Sequence, residues 1–147
     1  MKKCIVISDS FKGTISSLEI AKLTKTEILK EFPKCNVVEL PIADGGEGTI
    51  DAFAYFLKGK FIKKKVSGPY FEKANAKYFL SDENVAFIEM ASAAGLPLVG
   101  DKKDPSKTTT YGVGELILDA INKGAKKIIL GLGGSATNDG GCGCCAA

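Results

Sequence analysis

Three stretches set side chains that bind phosphate, hydroxyl or metal among glycines. They are Ser8-Asp9-Ser10-Phe11-Lys12-Gly13-Thr14, Ala43-Asp44-Gly45-Gly46-Glu47-Gly48-Thr49 and Gly131-Leu132-Gly133-Gly134-Ser135-Ala136-Thr137-Asn138-Asp139-Gly140-Gly141. Glycine reaches positive φ and lets a ligand come close to the backbone N–H groups, and successive N–H groups of this kind cradle anions. Gly133, Gly134 and Ser135 are therefore candidate anion binders. Asn138 and Asp139 suit Mg²⁺, which takes one or two carboxylates and completes its shell with phosphate and water. The loop carrying Asp44, Gly45, Gly46 and Glu47 has the opposite bias. Its two carboxylates repel a bare phosphate, so it should face Mg²⁺, sugar-like hydroxyls or a proton being removed. A carboxylate beside a hydroxyl nucleophile is how kinases orient attack. Lys12 is a cation for a carboxylate substrate or a phosphoryl group in transfer, and residues 106–111 offer hydroxyl donors ahead of a helix. No G-x-x-x-x-G-K-[ST] occurs, so a standard P-loop is excluded.

Each glycine-rich stretch follows an apolar run. Residues 4–7 read as a buried parallel strand. A helix follows, opened by the capping box Ser16-x-x-Glu19, with Leu18, Ala21, Ile28 and Phe32 on its apolar face and Pro33 as its stop. Residues 36–40 form the next strand, broken by Pro41, and the helix after residue 49 should bury Ile50, Phe53, Ala54 and Leu57. Residues 61–66, 76–80 and 85–88 look like strands with no long helix between them, so they are antiparallel or a subdomain of extra strands at about 61–90. Val113, Leu116, Ile117, Ala120 and Ile121 fall on one helical stripe, with Gly124 just past its end. Residues 126–130 are the strand that delivers the last loop. The pattern predicts an α/β fold, a mainly parallel sheet with flanking helices of the Rossmann or flavodoxin-like kind. In such sheets ligands bind at the carboxyl ends of the strands, where all three loops fall.

Composition narrows the function. The 147 residues are 45% hydrophobic and 25% charged, enough for a real core, and the net charge is only +3. Every basic residue is Lys, and nucleic-acid readout leans on Arg forks, so no nucleic-acid partner is expected. There is no His, which removes His-based triads and His metal sites, and Cys142, Cys144 and Cys145 lack a second pair that would complete a soft-metal site. No apolar run approaches the roughly 18 residues of a membrane span and no leader pattern occurs, which points to a soluble, cytoplasmic protein without a membrane partner. Oligomeric state is left open. Plain structural roles stand beside the functional ones. Asp9 or Ser10 could cap a turn. Asp44 and Glu47 could be an N-cap and a first-turn acid. Glu89 could point to water at a strand end, and Lys63-Lys64-Lys65 could be a solvated face or edge protection.

Taken together, the three loops, Ile88-Glu89-Met90-Ala91 and Thr110-Tyr111-Gly112-Val113-Gly114-Glu115-Leu116-Ile117 resemble the bacterial glycerate kinase family, in the family's order and over nearly the whole chain. The resemblance implies ATP-dependent phosphorylation of D-glycerate to a phosphoglycerate, with Mg²⁺, by a two-domain α/β enzyme whose active site lies between its domains. It implies that Lys12, Asp44, Glu47, Ser135, Asn138 and Asp139 are site residues, with Asp9, Ser10, Gly45, Gly46, Gly133 and Gly134 around them. Lys12 supplies charge, either Asp44 or Asp139 orients the glycerate hydroxyl, and Asp139 holds the metal. Family members are more than twice as long and continue past the equivalent of Gly141 into a helix rich in Met, Leu and Ala. Here Cys142-Gly143-Cys144-Cys145-Ala146-Ala147 follows instead. The expectation is an N-terminal portion, residues 1–147, of a two-domain kinase that lacks the helix behind the last loop and turns over little or not at all alone.

Two other readings compete. One is a non-catalytic α/β remnant. The other is a dinucleotide-binding oxidoreductase domain, suggested by Gly131-x-Gly133-x-x-Ala136 after a strand.

Overall fold

A computed structural model describes residues 1–147, which form two compact units, Met1–Asp44 and Gly45–Ala147. In the first unit, β1 (Lys3–Ser8) and β2 (Asn36–Pro41) are joined through α1 (Ser17–Glu31). The strands pair in parallel, Lys3 opposite Asn36 and Ser8 opposite Pro41. The capping box is formed as its spacing requires: the Ser16 hydroxyl accepts the Glu19 N–H at 3.2 Å, and the Ser16 N–H donates to Glu19 Oε2 at 3.0 Å. Val6, Ala21, Cys35 and Val37 make the small core, with Cys4, Ile28 and Leu29 against it. Phe32, expected on the apolar face, is exposed because the chain leaves helical geometry there. Ser17 ties the element ends together, since its hydroxyl donates to Ser8 O at 2.6 Å and accepts the Ile42 N–H at 3.0 Å. The segments that follow both strands thus start from one buried anchor.

The second unit runs α2 (Thr49–Phe56), β3 (Gly59–Ser67), β4 (Lys73–Ser81), β5 (Val85–Glu89), α3 (Ala91–Ala94), α4 (Leu96–Val99), α5 (Tyr111–Asn122), β6 (Lys127–Gly131) and α6 (Cys142–Ala146). Its sheet has the order β3-β4-β5-β6. The first two pairings are antiparallel and the last is parallel, so the α/β class holds with a mixed ladder. Connection length explains the mixture. The links from β3 to β4 and from β4 to β5 are short turns, the second carrying Asn84 at φ +60°, and a short link permits only antiparallel return. The strands at 61–90 share this sheet with β6 and share a core with α5. No helix is long and apolar enough to cross a membrane.

One face of the sheet packs Val66, Tyr78 and Ile88 against Val113, Leu116 and Ala120 of α5. The other packs Phe79 and Phe87 against Ile50 and Phe53 of α2, with the Phe53 and Phe87 rings 4.2 Å apart. Two expected core residues fall outside. Leu57 lies one residue past α2 and is 37% exposed, and Ile121 is 52% exposed on the outer side of α5. Gly124 sits as expected, just past the Lys123 C-cap at φ +89°.

A buried carboxylate joins α5 to the sheet. Asp119 Oδ1 accepts from Lys64 at 2.9 Å and Lys123 at 2.8 Å, and Oδ2 accepts from the Tyr78 hydroxyl at 2.9 Å. Lys63 and Lys65 are exposed on the edge strand β3, but Lys64 turns inward to this pair, so the lysine run is not wholly a solvated face. Burial pushes the Asp119 carboxyl up, yet Lys123, Lys64 and Tyr78 together outweigh it and bring the pKa down to about 2. Burial first, then Asp119, raises the Tyr78 phenol.

Asp119→Ala orphans the buried Tyr78 hydroxyl and removes the partner of two part-exposed ammonium groups, and should cost about 1–3 kcal/mol in urea unfolding at neutral pH. Because the folded-state pKa is depressed, this contribution is complete above the ordinary carboxylate pKa near ~4. It is lost as pH falls toward about 2, so the gap between parent and variant should close in acid.

Candidate functional site

Within the second unit, the two glycine-rich loops meet backbone to backbone. The Gly133 N–H donates to Gly45 O at 3.0 Å. A Cβ on Gly133 would sit 2.6 Å from Gly46 N, and one on Gly131 would run into the Gly45 carbonyl oxygen. These glycines are required by close approach. Beyond them the loop is stitched to the small-residue segment after β5: the Leu96 N–H donates to Gly134 O at 3.0 Å, and the Ala136 N–H to Ala94 O at 2.8 Å. Ser135 Oγ lies 2.8 Å from Thr137 Oγ1 and accepts the Thr137 N–H at 3.1 Å. The Thr108 hydroxyl closes on Ala136 O at 2.8 Å.

Asp139 is the most heavily bonded side chain of this loop. Its Oδ2 accepts the Thr110 N–H and hydroxyl, each at 2.8 Å, the Gly143 N–H at 3.1 Å and the Thr109 hydroxyl at 3.5 Å. Oδ1 accepts the Gly141 N–H at 3.1 Å. The Thr110 hydroxyl in turn accepts the Cys144 N–H at 2.9 Å. Burial pushes the carboxyl up, but the Thr110, Gly141 and Gly143 donors prevail and hold it below the usual range. These contacts seat the start of α6 on the start of α5. The segment after Gly141, expected to lack a helix, therefore forms a short one, opened by Gly141 at φ +80°. The hydroxyls expected as ligand donors at 106–111 include those of Thr108, Thr109 and Thr110, all buried and spent on this loop.

The arrangement departs from the dinucleotide fingerprint. The Gly133 N–H is engaged by Gly45, and the next helix starts only at Cys142, so no helix N-terminus follows the glycines to carry a pyrophosphate.

The start of α2 also differs from the simple expectation. Its N-cap is Gly48, left-handed at φ +95°, and the first-turn acid is Asp51, so Asp44 and Glu47 fill neither post. Glu47 is exposed and Gly46 is buried. The acid that meets the helix start is Glu89, at the end of β5, whose Oε1 accepts the Ile50 N–H at 2.9 Å. Glu89 is 5% exposed and does not point to water. Burial is the main cause that raises its carboxyl, and the Ile50 N–H opposes it. The available signal was a lone acid closing an apolar strand just before a run of small residues.

In the first unit, Lys12 Nζ stands 3.5 Å from Asp44 Oδ2, with 66% and 53% of the two side chains exposed. Asp9 Oδ1 accepts the N–H of the next residue, Ser10, at 2.7 Å. Across the chain no three His, Cys, Asp or Glu side chains gather to hold a metal. A divalent cation at Asp139 would use Oδ1 and draw its other ligands from phosphate and water.

A sequence model of the glycerate kinase family matches residues 4–147. The glycerate kinase of Bacillus cereus is 48% identical over 143 residues, which cover 96% of this chain and 38% of that protein. The glycerate 2-kinase of Escherichia coli K12 is 47% identical with the same coverage of 96% and 38%. A solved structure of glycerate kinase 2 from Salmonella typhimurium LT2 superposes with a TM-score of 0.82 at 43% identity, over 98% of this chain and 40% of that one. The chain thus spans about two fifths of the length of the relatives it matches.

Gly133→Ala should lower stability by about 1–3 kcal/mol, because its Cβ meets backbone that cannot yield, and Asp139→Ala by about 2–4 kcal/mol, because it orphans several donors at once. Thermal unfolding followed by circular dichroism measures both. An unchanged midpoint for Gly133→Ala would show that the two loops are not in contact.

Proposed function

We propose that this chain, which belongs to the glycerate kinase family, supplies residues for transfer of the γ-phosphoryl group of ATP to a hydroxyl of D-glycerate. In that reaction the glycerate oxygen bonds to the γ-phosphorus, the bond from that phosphorus to ADP breaks, and the hydroxyl proton leaves. The observation that carries the reading is the rigid seating of the 131–141 loop at the carboxyl end of β6, with Gly133 on Gly45 and Asp139 on Thr110. Catalysis of phosphoryl transfer is mostly positioning and charge stabilisation, which a loop fixed in this way can provide.

The residues divide by how firmly they are held. Gly134, Ser135 and Asn138 are assigned to the nucleotide phosphates. Lys12 and Asp44 form an exposed pair 3.5 Å apart that contributes little to stability. Lys12 meets the glycerate carboxylate or the phosphoryl group, and Asp44 orients the hydroxyl and accepts its proton. Asp9 and Ser10 flank Lys12, and Glu47, with Gly45 and Gly46, completes the acidic loop. Asp139 sets the loop through Oδ2 and is offered to Mg²⁺ through Oδ1. Bound Mg²⁺ offsets charge on the phosphate oxygens. The name of the Escherichia coli relative points to the hydroxyl at position 2 of glycerate, and we assign that position here, with the reaction in the cytoplasm.

Calorimetric titration with D-glycerate and with ATP and Mg²⁺, paired with a coupled assay for ADP, tests this reading. D-Glycerate should bind, Lys12→Ala should weaken that binding about tenfold or more, and any ADP released should require glycerate and fall about 100-fold or more in Asp44→Asn. Phosphorus NMR of the product reads the position. Failure of both ligands to bind, or ADP release that ignores glycerate, would overturn the proposal.

A further inference from the structure

We infer that Glu89 is a positioning residue whose buried carboxylate registers the 45–49 loop, and through it the 131–134 loop, against the carboxyl edge of the sheet. The inference deepens the reading above and rests on it for its consequence in catalysis, though not for its structural part.

The molecule itself offers a contrast in helix starts. The orphan N–H groups at a helix start need acceptors. At α1 the acceptor is local: Ser16 of the same segment, backed by Glu19. A local cap fixes the helix but not its place relative to anything else. At α2 the N-cap is a glycine with no side chain to offer, and the acceptor for the Ile50 N–H comes from β5, 39 residues away in sequence. A cap supplied across the fold fixes the helix start to the strand.

Glu89 is well placed for that task. In the parallel register it lies opposite Gly131, and the Met90 N–H donates to Gly131 O at 2.9 Å. Gly131 and Gly133 in turn bear on Gly45 and Gly46. The end of β5, the start of α2 and both glycine loops therefore meet around one carboxylate. Ile50, the residue whose N–H it takes, is fully buried against Phe79 and Phe87. The charged groups that act on Glu89 are Asp51, which opposes its ionisation, and Lys77, which favours it. These two are themselves paired, Lys77 Nζ lying 3.1 Å from Asp51 Oδ1, so they largely offset one another. Burying a carboxylate is costly unless it is bonded, and a serine had already served at α1. What the longer side chain adds at α2 is reach from β5, placing an acceptor oxygen at the helix start.

The test compares Glu89→Gln and Glu89→Ala with the parent by amide hydrogen exchange and by calorimetric binding of D-glycerate and of ATP with Mg²⁺, all well below the unfolding temperature. Glu89→Ala should speed exchange at Ile50 by about tenfold or more while Leu116 and Ala120 stay protected, and should weaken ligand binding by a similar factor. Glu89→Gln, which keeps an acceptor, should stay within about threefold of the parent on both. If Glu89→Ala does not fold, Glu89→Asp takes its place, one methylene too short to hold Ile50. Unchanged Ile50 exchange overturns the inference, as does faster exchange everywhere together with unaltered binding, since a merely structural role predicts that. If the parent binds neither ligand, the proposed function fails while the exchange result still decides whether Glu89 holds the loop.

Discussion

The second unit depends on one close contact, the backbone of Gly131 to Gly133 lying directly on the backbone of Gly45 and Gly46. Two polar chains can approach this closely only if neither carries a Cβ at the contact and their groups pair, as the Gly133 N–H and Gly45 O do. The contact joins the segment entering α2 to the segment leaving β6, which are about ninety positions apart in this sequence and are the costlier to bring together for that separation. The rest of the local structure supports it. Glu89 holds the α2 side and Asp139 holds the far side of the longer loop.

The carboxylates of this chain sort by what surrounds them. Asp119, Glu89 and Asp139 are buried or partly buried, and each accepts donors from elements distant in sequence. Their balance differs with the donors available. Asp119 faces two ammonium groups and a phenol and falls well below the usual carboxylate range. Asp139 is also lowered, by backbone and hydroxyl donors alone. Glu89 has burial as its main influence and is raised. The same residue type thus serves as an ion-pair hub, a loop clasp and a remote helix cap.

Local order was legible in the sequence and remote order was not. The capping box at Ser16, the stop at Pro33, the left-handed Gly124 and the antiparallel strands after Phe61 all follow from short-range rules and occur as read. The α5 stripe was right for Val113, Leu116 and Ala120 but not for Ile121, because burial is decided by the sheet and not by period. The Thr109 and Thr110 partners of Asp139 are about thirty residues away and the Ile50 partner of Glu89 thirty-nine, so no periodicity could expose them. The short helix α6 was missed for the same reason. Glycine and cysteine are weak helix formers, and the Asp139 that accepts the Gly141 and Gly143 N–H groups is itself held by Thr110, a contact invisible along the chain.

This sorting bears on which carboxylate can do chemistry. A general base needs an oxygen able to approach a substrate hydroxyl and to take its proton near neutral pH. Asp139 Oδ2 already receives four donors, and its carboxyl is pushed below the usual range, away from proton acceptance. Glu89 is buried beneath the loop it caps. Asp44 and Glu47 are exposed, and the Asp44 carboxylate stands 3.5 Å from the Lys12 ammonium. Of the two carboxylates that the sequence left open for orienting the hydroxyl, Asp139 is the one already committed, through Oδ2, to Thr109, Thr110 and Gly143. These bonds give Asp139 the task of keeping the 131–141 loop in one shape.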